Sequence, residues 1–173
     1  MPWLTRLDRA GLAAYGGVGR RFECLGEAGG VVVIDDYAHH PTEVRATVAT
    51  ARRAYPERRI VAVFQPHLFS RTQDFAKEFG VALANADAVV VTDVFPARED
   101  PIPGVTGELI TNSVAAHGRN VETTYIPDLD DVSSHVAAHV AKGDLVLVMG
   151  AGSIDCVGSR LLAALQESEG SNA

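Results

Sequence analysis

Cysteine is scarce in this chain: Cys24 and Cys156 are the only two among 173 residues. They form no CxxC pair and no metal-ligand spacing. A disulfide scaffold is therefore excluded, and two scattered thiols suit a reducing cytosol. Basic charge is also short. Fifteen Lys and Arg face 22 Asp and Glu, a formal net charge of −7, which argues against nucleic acid as the main partner. No apolar run approaches the ~20 residues of a membrane span. The start, Met1-Pro2-Trp3-Leu4-Thr5-Arg6, lacks the basic-then-apolar pattern of a signal peptide. No GxxxxGK[ST] loop occurs, so the chain brings no phosphate cradle of its own for ATP chemistry. Internal repeats and low-complexity blocks are absent too.

What the chain does have is alternation, within a length and a hydrophobic fraction (47%) that suit one domain with a real core. Val31-Val32-Val33-Ile34 is a fully apolar run, the mark of a strand buried on both faces. Pro41 suits the first turn of a helix running to about Tyr55, with Val44, Val48 and Ala51 on one stripe. Strand Ile60-Val61-Ala62-Val63-Phe64 precedes a helix that Ser70 could cap. Strand Ala88-Val89-Val90-Val91-Thr92 precedes a Pro- and Gly-rich loop and a helix for which Thr106 is the candidate cap. A weaker strand, Thr123-Thr124-Tyr125-Ile126, leads to an acidic helix start at Asp128. Leu145-Val146-Leu147-Val148-Met149 leads through Gly150-Ala151-Gly152-Ser153 to a helix ending near Leu165. Ahead of these, Arg20-Arg21-Phe22-Glu23-Cys24-Leu25 reads as an entering strand. The pattern predicts an α/β domain, its sheet mainly parallel with helices on both faces. Ligands of such sheets bind at the carboxyl ends of the strands.

Two turns at those ends carry the chemistry. In Asp35-Asp36-Tyr37-Ala38-His39-His40-Pro41, a carboxylate leaving a buried strand can accept from the two hydroxyls of a ribose or hold a cation. The plainer alternative is that Asp35 or His40 only caps the helix, but Tyr37 and two histidines exceed what capping requires. His39 and His40, with His67 as a third ligand, invite a metal. Adjacent side chains in a turn diverge, however, and no HxxxH accompanies them. A histidine that donates to a carboxylate or phosphate, or aids proton removal from an amine, is the better reading. In Gln65-Pro66-His67-Leu68-Phe69-Ser70-Arg71-Thr72, Arg71 falls in the first helical turn. There it can hold a carboxylate through two parallel hydrogen bonds; its plain alternative is a solvated surface arginine. Arg52-Arg53 and Arg58-Arg59, at a helix end and a loop, read as surface charge. Gly150 and Gly152 make half a dinucleotide fingerprint, after the last strand rather than the first. Alone that is weak, and it leaves open close backbone approach or an anion at a helix N-terminus.

Three segments in order, Gly19-Arg20-Arg21-Phe22-Glu23, Asp35 to Glu43, and Phe64-Gln65-Pro66-His67 with Ser70-Arg71-Thr72, closely resemble the C-terminal domain of the Mur ligases of peptidoglycan synthesis. Within them the resemblance is to the branch that joins L-alanine to UDP-N-acetylmuramate. It covers essentially residues 10–166. It implies a three-layer Rossmann-like domain in a bacterial, cytoplasmic enzyme. Residues 1–19 would be a lead-in or hinge from a central domain outside this chain, residues 20–166 the C-terminal domain, and residues 167–173 a frayed tail. It further implies ATP and Mg2+ as cofactors, the ion held mainly by the central domain, and a UDP-sugar domain before that. The reaction activates the muramoyl carboxylate as an acyl phosphate, which the amine of L-alanine attacks.

By the same resemblance, Arg21 reaches the ATP phosphates, Asp36 holds the ribose, and Tyr37 lies near the nucleotide or the amino acid. His39 and Arg71 fix L-alanine. His40, His67, Gly150 and Gly152 are secondary candidates. Some family members carry an arginine where this chain has Leu68, so Arg71 alone must hold the carboxylate or another group assists. With the other domains lying outside it, the 173-residue chain is expected to be inactive alone. The alternatives are the muropeptide-recycling ligase, which joins a tripeptide to the same sugar, and a metal hydrolase built on His39, His40 and His67.

Overall fold

The computed structural model describes residues 19–118 and 120–171. The expected lead-in helix face of Trp3, Leu4, Leu7 and Leu12 lies outside the described residues. The described chain runs β1 (Glu23–Ala28), β2 (Val31–Asp36), α1 (Pro41–Ala54), β3 (Arg59–Phe64), α2 (Phe69–Leu83), β4 (Ala88–Val91), α3 (Glu108–His117), β5 (Glu122–Tyr125), α4 (Leu129–His139), β6 (Asp144–Met149) and α5 (Asp155–Ser171).

Six strands form one sheet in the order β1-β2-β6-β3-β4-β5. Only the β1–β2 pair is antiparallel; every other neighbouring pair is parallel. The alternation of side chains along each strand divides the core into two layers. Val32 and Ile34 of β2, Ile60, Ala62 and Phe64 of β3, and Leu145 and Leu147 of β6 face one layer. That layer is closed by Val44 and Val48 of α1, Phe79 and Leu83 of α2, and Ile110 of α3. Val33, Val61, Val63, Val146 and Val148 face the other, against Val132 and Val136 of α4 and Val157 and Leu161 of α5. Strands wetted on neither face explain the unbroken apolar runs. Phe64 and Phe79, ring centroids 5.1 Å apart and both fully buried, anchor the first layer; truncating either to alanine costs about 3–5 kcal/mol.

The parallel register carries all the strand-to-helix turns to one edge. After β3 and β4 the pairing continues into the loops, with Phe95 N–H donating to Pro66 O at 2.8 Å and Leu68 N–H to Phe95 O at 3.0 Å. This draws Phe95, from the long Pro-rich loop, beneath His67.

Four expectations need correction. The cap of α2 is Leu68, not Ser70, because the pairing with Phe95 fixes the chain two residues earlier and Ser70 turns to Glu99 instead. In α3 the position before the helix is Gly107, although the Thr106 hydroxyl accepts from Glu108 N–H at 3.3 Å. Helix α5 does not end near Leu165 but continues to Ser171: Gln166, Glu167 and Glu169 are good helix formers, and extending a packed helix is easier than nucleating one. The entering strand also begins later, at Glu23, and bends at a bulge between Cys24 and Gly26.

Candidate active site

The turn after β2 is tied down first by its two carboxylates. Asp35 is 3% exposed and Asp36 7%. Arg20 Nε donates to Asp35 Oδ2 at 2.7 Å, and another guanidinium nitrogen donates to Gly150 O at 2.8 Å. Burial pushes the Asp35 carboxyl up despite the guanidinium beside it. Asp36 accepts through one oxygen from Phe22 N–H and through the other from Ala38 N–H, both at 2.8 Å. Both aspartates are therefore engaged by the chain itself. Arg20 and Phe22 have φ of 58° and 49°, left-handed values costly for residues with a Cβ.

Tyr37 hangs from this frame. Its N–H donates to Arg20 O at 2.8 Å, and its side chain is the exposed aromatic of the turn. The Arg20 and Arg21 guanidinium carbons lie 5.2 and 5.6 Å from its ring centre, within cation–π range.

The two histidines of the turn diverge, as adjacent residues in a turn should. His40 Nδ1 accepts from Thr42 N–H at 3.3 Å, Glu43 Oε2 accepts from His40 N–H at 3.1 Å, and the ring rests against Phe75. His40 is thus the N-cap of a capping box, and the capping alternative holds for it. Burial works to raise Glu43, but the His39 and His40 amides and the His39 ring outweigh it and hold the carboxyl below its ordinary range. His39 turns outward. Its Nδ1 stands 2.9 Å from Tyr37 O and 3.4 Å from Glu43 Oε2. Both are acceptors, which assigns the Nδ1 proton and leaves Nε2 to a ligand.

His67 and Arg71 come from the turn after β3. The His67 ring stacks on Phe95 at 5.6 Å and meets the edge of His39 at 5.7 Å. Its Nδ1 is buried and has no hydrogen-bond partner. Burial, then the charges of Arg71 and His39, push the imidazole below its ordinary value. An Arg71 guanidinium nitrogen lies 3.5 Å from His39 O. Between them Leu68 holds φ 72° and ψ 133°, a conformation that bulky residues avoid and that clusters at functional sites.

Gly150 and Gly152 serve close packing. A Cβ on Gly152 would stand 2.5 Å from the Phe95 ring and 2.6 Å from Gln65 Oε1; on Gly150 it would meet Ile154 at 2.9 Å. The N-terminus of α5 is met by Gln65, whose Oε1 accepts from Ile154 N–H at 3.1 Å.

The structure thus brings Tyr37, His39, His67 and Arg71 to one edge, with Arg21 beside Tyr37, and sets His40 apart as a cap. The sequence reading missed Arg20, Phe95 and Glu99 as parts of this edge. Arg20 shares a motif with Arg21, and only the fold tells which one meets Asp35; Phe95 and Glu99 sit in a loop without periodicity. Among the described residues, no three His, Cys, Asp or Glu side chains form a group that could hold a metal ion, and no helix is long and apolar enough to cross a membrane. The edge offers a cation for a carboxylate, imidazole nitrogens for an amine or anion, and an aromatic face flanked by guanidinium groups.

Comparison with known proteins places this edge in context. The UDP-N-acetylmuramate–L-alanine ligase of Streptomyces coelicolor is 54% identical over 156 residues, 90% of this chain and 33% of that protein. That of Cutibacterium acnes is 52% identical over 157 residues, with coverage of 90% and 33%. Among solved structures, the UDP-N-acetylmuramate–alanine ligase of Thermotoga maritima superposes with a TM-score of 0.72 at 31% identity, over 88% of this chain and 31% of that one. A murein peptide ligase of Psychrobacter arcticus gives a TM-score of 0.72 at 27% identity, over 91% and 32%. The chain spans about a third of the length of the curated relatives it matches. The family model of the Mur ligase glutamate ligase domain matches residues 20–152, most of the chain, and the chain belongs to that family.

Proposed function

We propose that this chain is the amino-acid-presenting domain of an ATP-dependent ligase that joins L-alanine to UDP-N-acetylmuramate. The carrying observation is the convergence of His39, His67 and Arg71 beside Tyr37, in a chain half-identical to proteins named for that reaction. ATP, held with Mg2+ mainly by parts outside this chain, supplies the phosphoryl group that activates the acid. The residues present fit a nucleotide: Tyr37 offers an exposed ring, and Arg21 a guanidinium above it for phosphate charge. Asp36, with one lone pair of each oxygen engaged by a backbone N–H, fixes the turn; the remaining lone pairs would meet ribose hydroxyls.

For the amino acid, Arg71 supplies the cation for the carboxylate in place of an arginine pair, since the neighbouring position is Leu68. His39 Nε2 and His67 would take the proton that the amine must lose before it attacks. The protein contributes alignment and charge, with no nucleophile of its own. The enzyme works in the cytoplasm on this reading, where its substrates would be made.

A second reading, a ligase that returns a tripeptide to the same sugar, draws on the likeness to the murein peptide ligase. Steady-state kinetics of the full-length protein with L-alanine and with the tripeptide separate the two. L-alanine is the expected substrate; turnover of the tripeptide alone would reverse the assignment.

A further inference from the structure

We infer that Arg20 is a positioning residue for nucleotide binding: its bonds to Asp35 and to Gly150 hold residues 20–22 in the backbone form that aims Arg21 across Tyr37. This rests on the proposed nucleotide role of Arg21.

Arg20 is held at four points. Its backbone N–H donates to Glu23 Oε2 at 2.7 Å, and its carbonyl accepts from Tyr37 N–H at 2.8 Å. Its guanidinium spans Asp35 at the end of β2 and Gly150 O just after β6, so it bridges the ends of two adjacent parallel strands. Two residues on, Phe22 N–H is held by Asp36. The two positive-φ residues, Arg20 and Phe22, flank Arg21 on either side. Left-handed backbone is costly for residues with a Cβ, and an outside constraint offsets that cost. The paired aspartates supply that constraint, Asp35 through the Arg20 side chain and Asp36 through the Phe22 amide.

The consequence is geometric. Arg21 is exposed, its guanidinium 5.6 Å from the Tyr37 ring centre. With Arg20 released, residues 20–22 relax toward ordinary φ, and the Arg21 side chain leaves the strand-end edge. Arg20 needs no contact with the nucleotide to govern its affinity. Lysine is a poor substitute, because a single ammonium cannot present the fork that reaches Asp35 and Gly150 O together.

The test uses the full-length protein that carries this domain, with variants Arg20→Lys, Asp35→Asn and Arg21→Ala. Calorimetric Kd for a non-hydrolysable ATP analogue is read beside KM for ATP, KM for L-alanine and kcat. Hydrogen exchange of the Phe22 and Tyr37 amides is followed in parallel. Arg20→Lys and Asp35→Asn are each expected to weaken nucleotide binding roughly tenfold, the scale of one charge-assisted hydrogen bond. KM for L-alanine and kcat should stay within about twofold, and both amides should exchange faster. A purely structural role would move all kinetic constants together, and that result overturns the inference. Unchanged nucleotide affinity in Arg20→Lys, with Arg21→Ala strongly impaired, also overturns it and leaves the nucleotide role of Arg21 standing. Unchanged affinity in Arg21→Ala overturns that role and this inference together.

Discussion

The imidazole of His67 meets that of His39 edge to face, 5.7 Å between centroids and 65° between planes, across two turns that follow different strands. His67 lies under burial and the charges of Arg71 and His39, so its proton comes off below the ordinary histidine value of 6.5. His135 shares the shift, through burial and its neighbour His139. Below that value the unfolded chain therefore binds more protons than the folded one, and stability falls as the pH drops from 6.5 through the lowered folded values. Glu43 and Glu99 act in the same direction in a lower window, below 4.5, while the raised carboxyl of Asp35 opposes them. Urea unfolding followed from about pH 7.5 to about pH 5.5 should show this acid limb. It should be shallower in His67→Gln; an equally steep limb there would assign the proton linkage elsewhere.

The Arg20–Asp35 pair is asymmetric in burial, with the arginine side chain 24% exposed and the aspartate 5%. Removing Arg20 leaves a buried carboxylate bare, and Arg20→Ala should destabilise by about 3 kcal/mol near neutral pH. Asp35→Ala leaves a guanidinium that still reaches water and Gly150 O, so its cost should be nearer about 1 kcal/mol. Chemical denaturation of both variants checks the order; equal costs would contradict it.

Asp36→Asn tests whether that carboxylate holds the turn from inside. Each of its oxygens accepts a backbone N–H, so the amide nitrogen of asparagine must face either Phe22 or Ala38, donor against donor. A loss of about 1–3 kcal/mol is expected with no ligand present. A neutral substitution would mean that Asp36 is free for ligand alone.

Gly152→Ala should cost about 1–3 kcal/mol through overpacking, because the added methyl meets the Phe95 ring and Gln65 Oε1 within 2.6 Å. Both neighbours are themselves held, Gln65 by Ile154 N–H and Phe95 by its pairing with Pro66 and Leu68. An unfolding midpoint equal to the parent's would show that the turn yields.

Much of this architecture was legible in the sequence. The run Val31-Val32-Val33-Ile34 and its counterparts in β3, β4 and β6 marked strands buried on both faces, and Pro41 marked the start of α1. The placement of β6 between β2 and β3 was not legible, because neighbouring in a parallel sheet depends on crossover paths that leave no local pattern. Ser70 looked like a cap because serine usually is one; the pairing of Leu68 with Phe95 overrode that preference. The site turns were legible as clusters of functional groups; in the first turn His40 caps the helix while His39 faces outward. Which of Arg20 and Arg21 pairs with Asp35 was not legible, since adjacent residues of one type differ only in where the fold points them.

The most direct test of the functional reading is the L-alanine dependence of the full-length protein carrying Arg71→Ala. The reading predicts a KM for L-alanine raised roughly tenfold or more, the scale of a charge-assisted carboxylate contact, with KM for ATP within about twofold. An unchanged KM for L-alanine, or a rise confined to ATP, would contradict it.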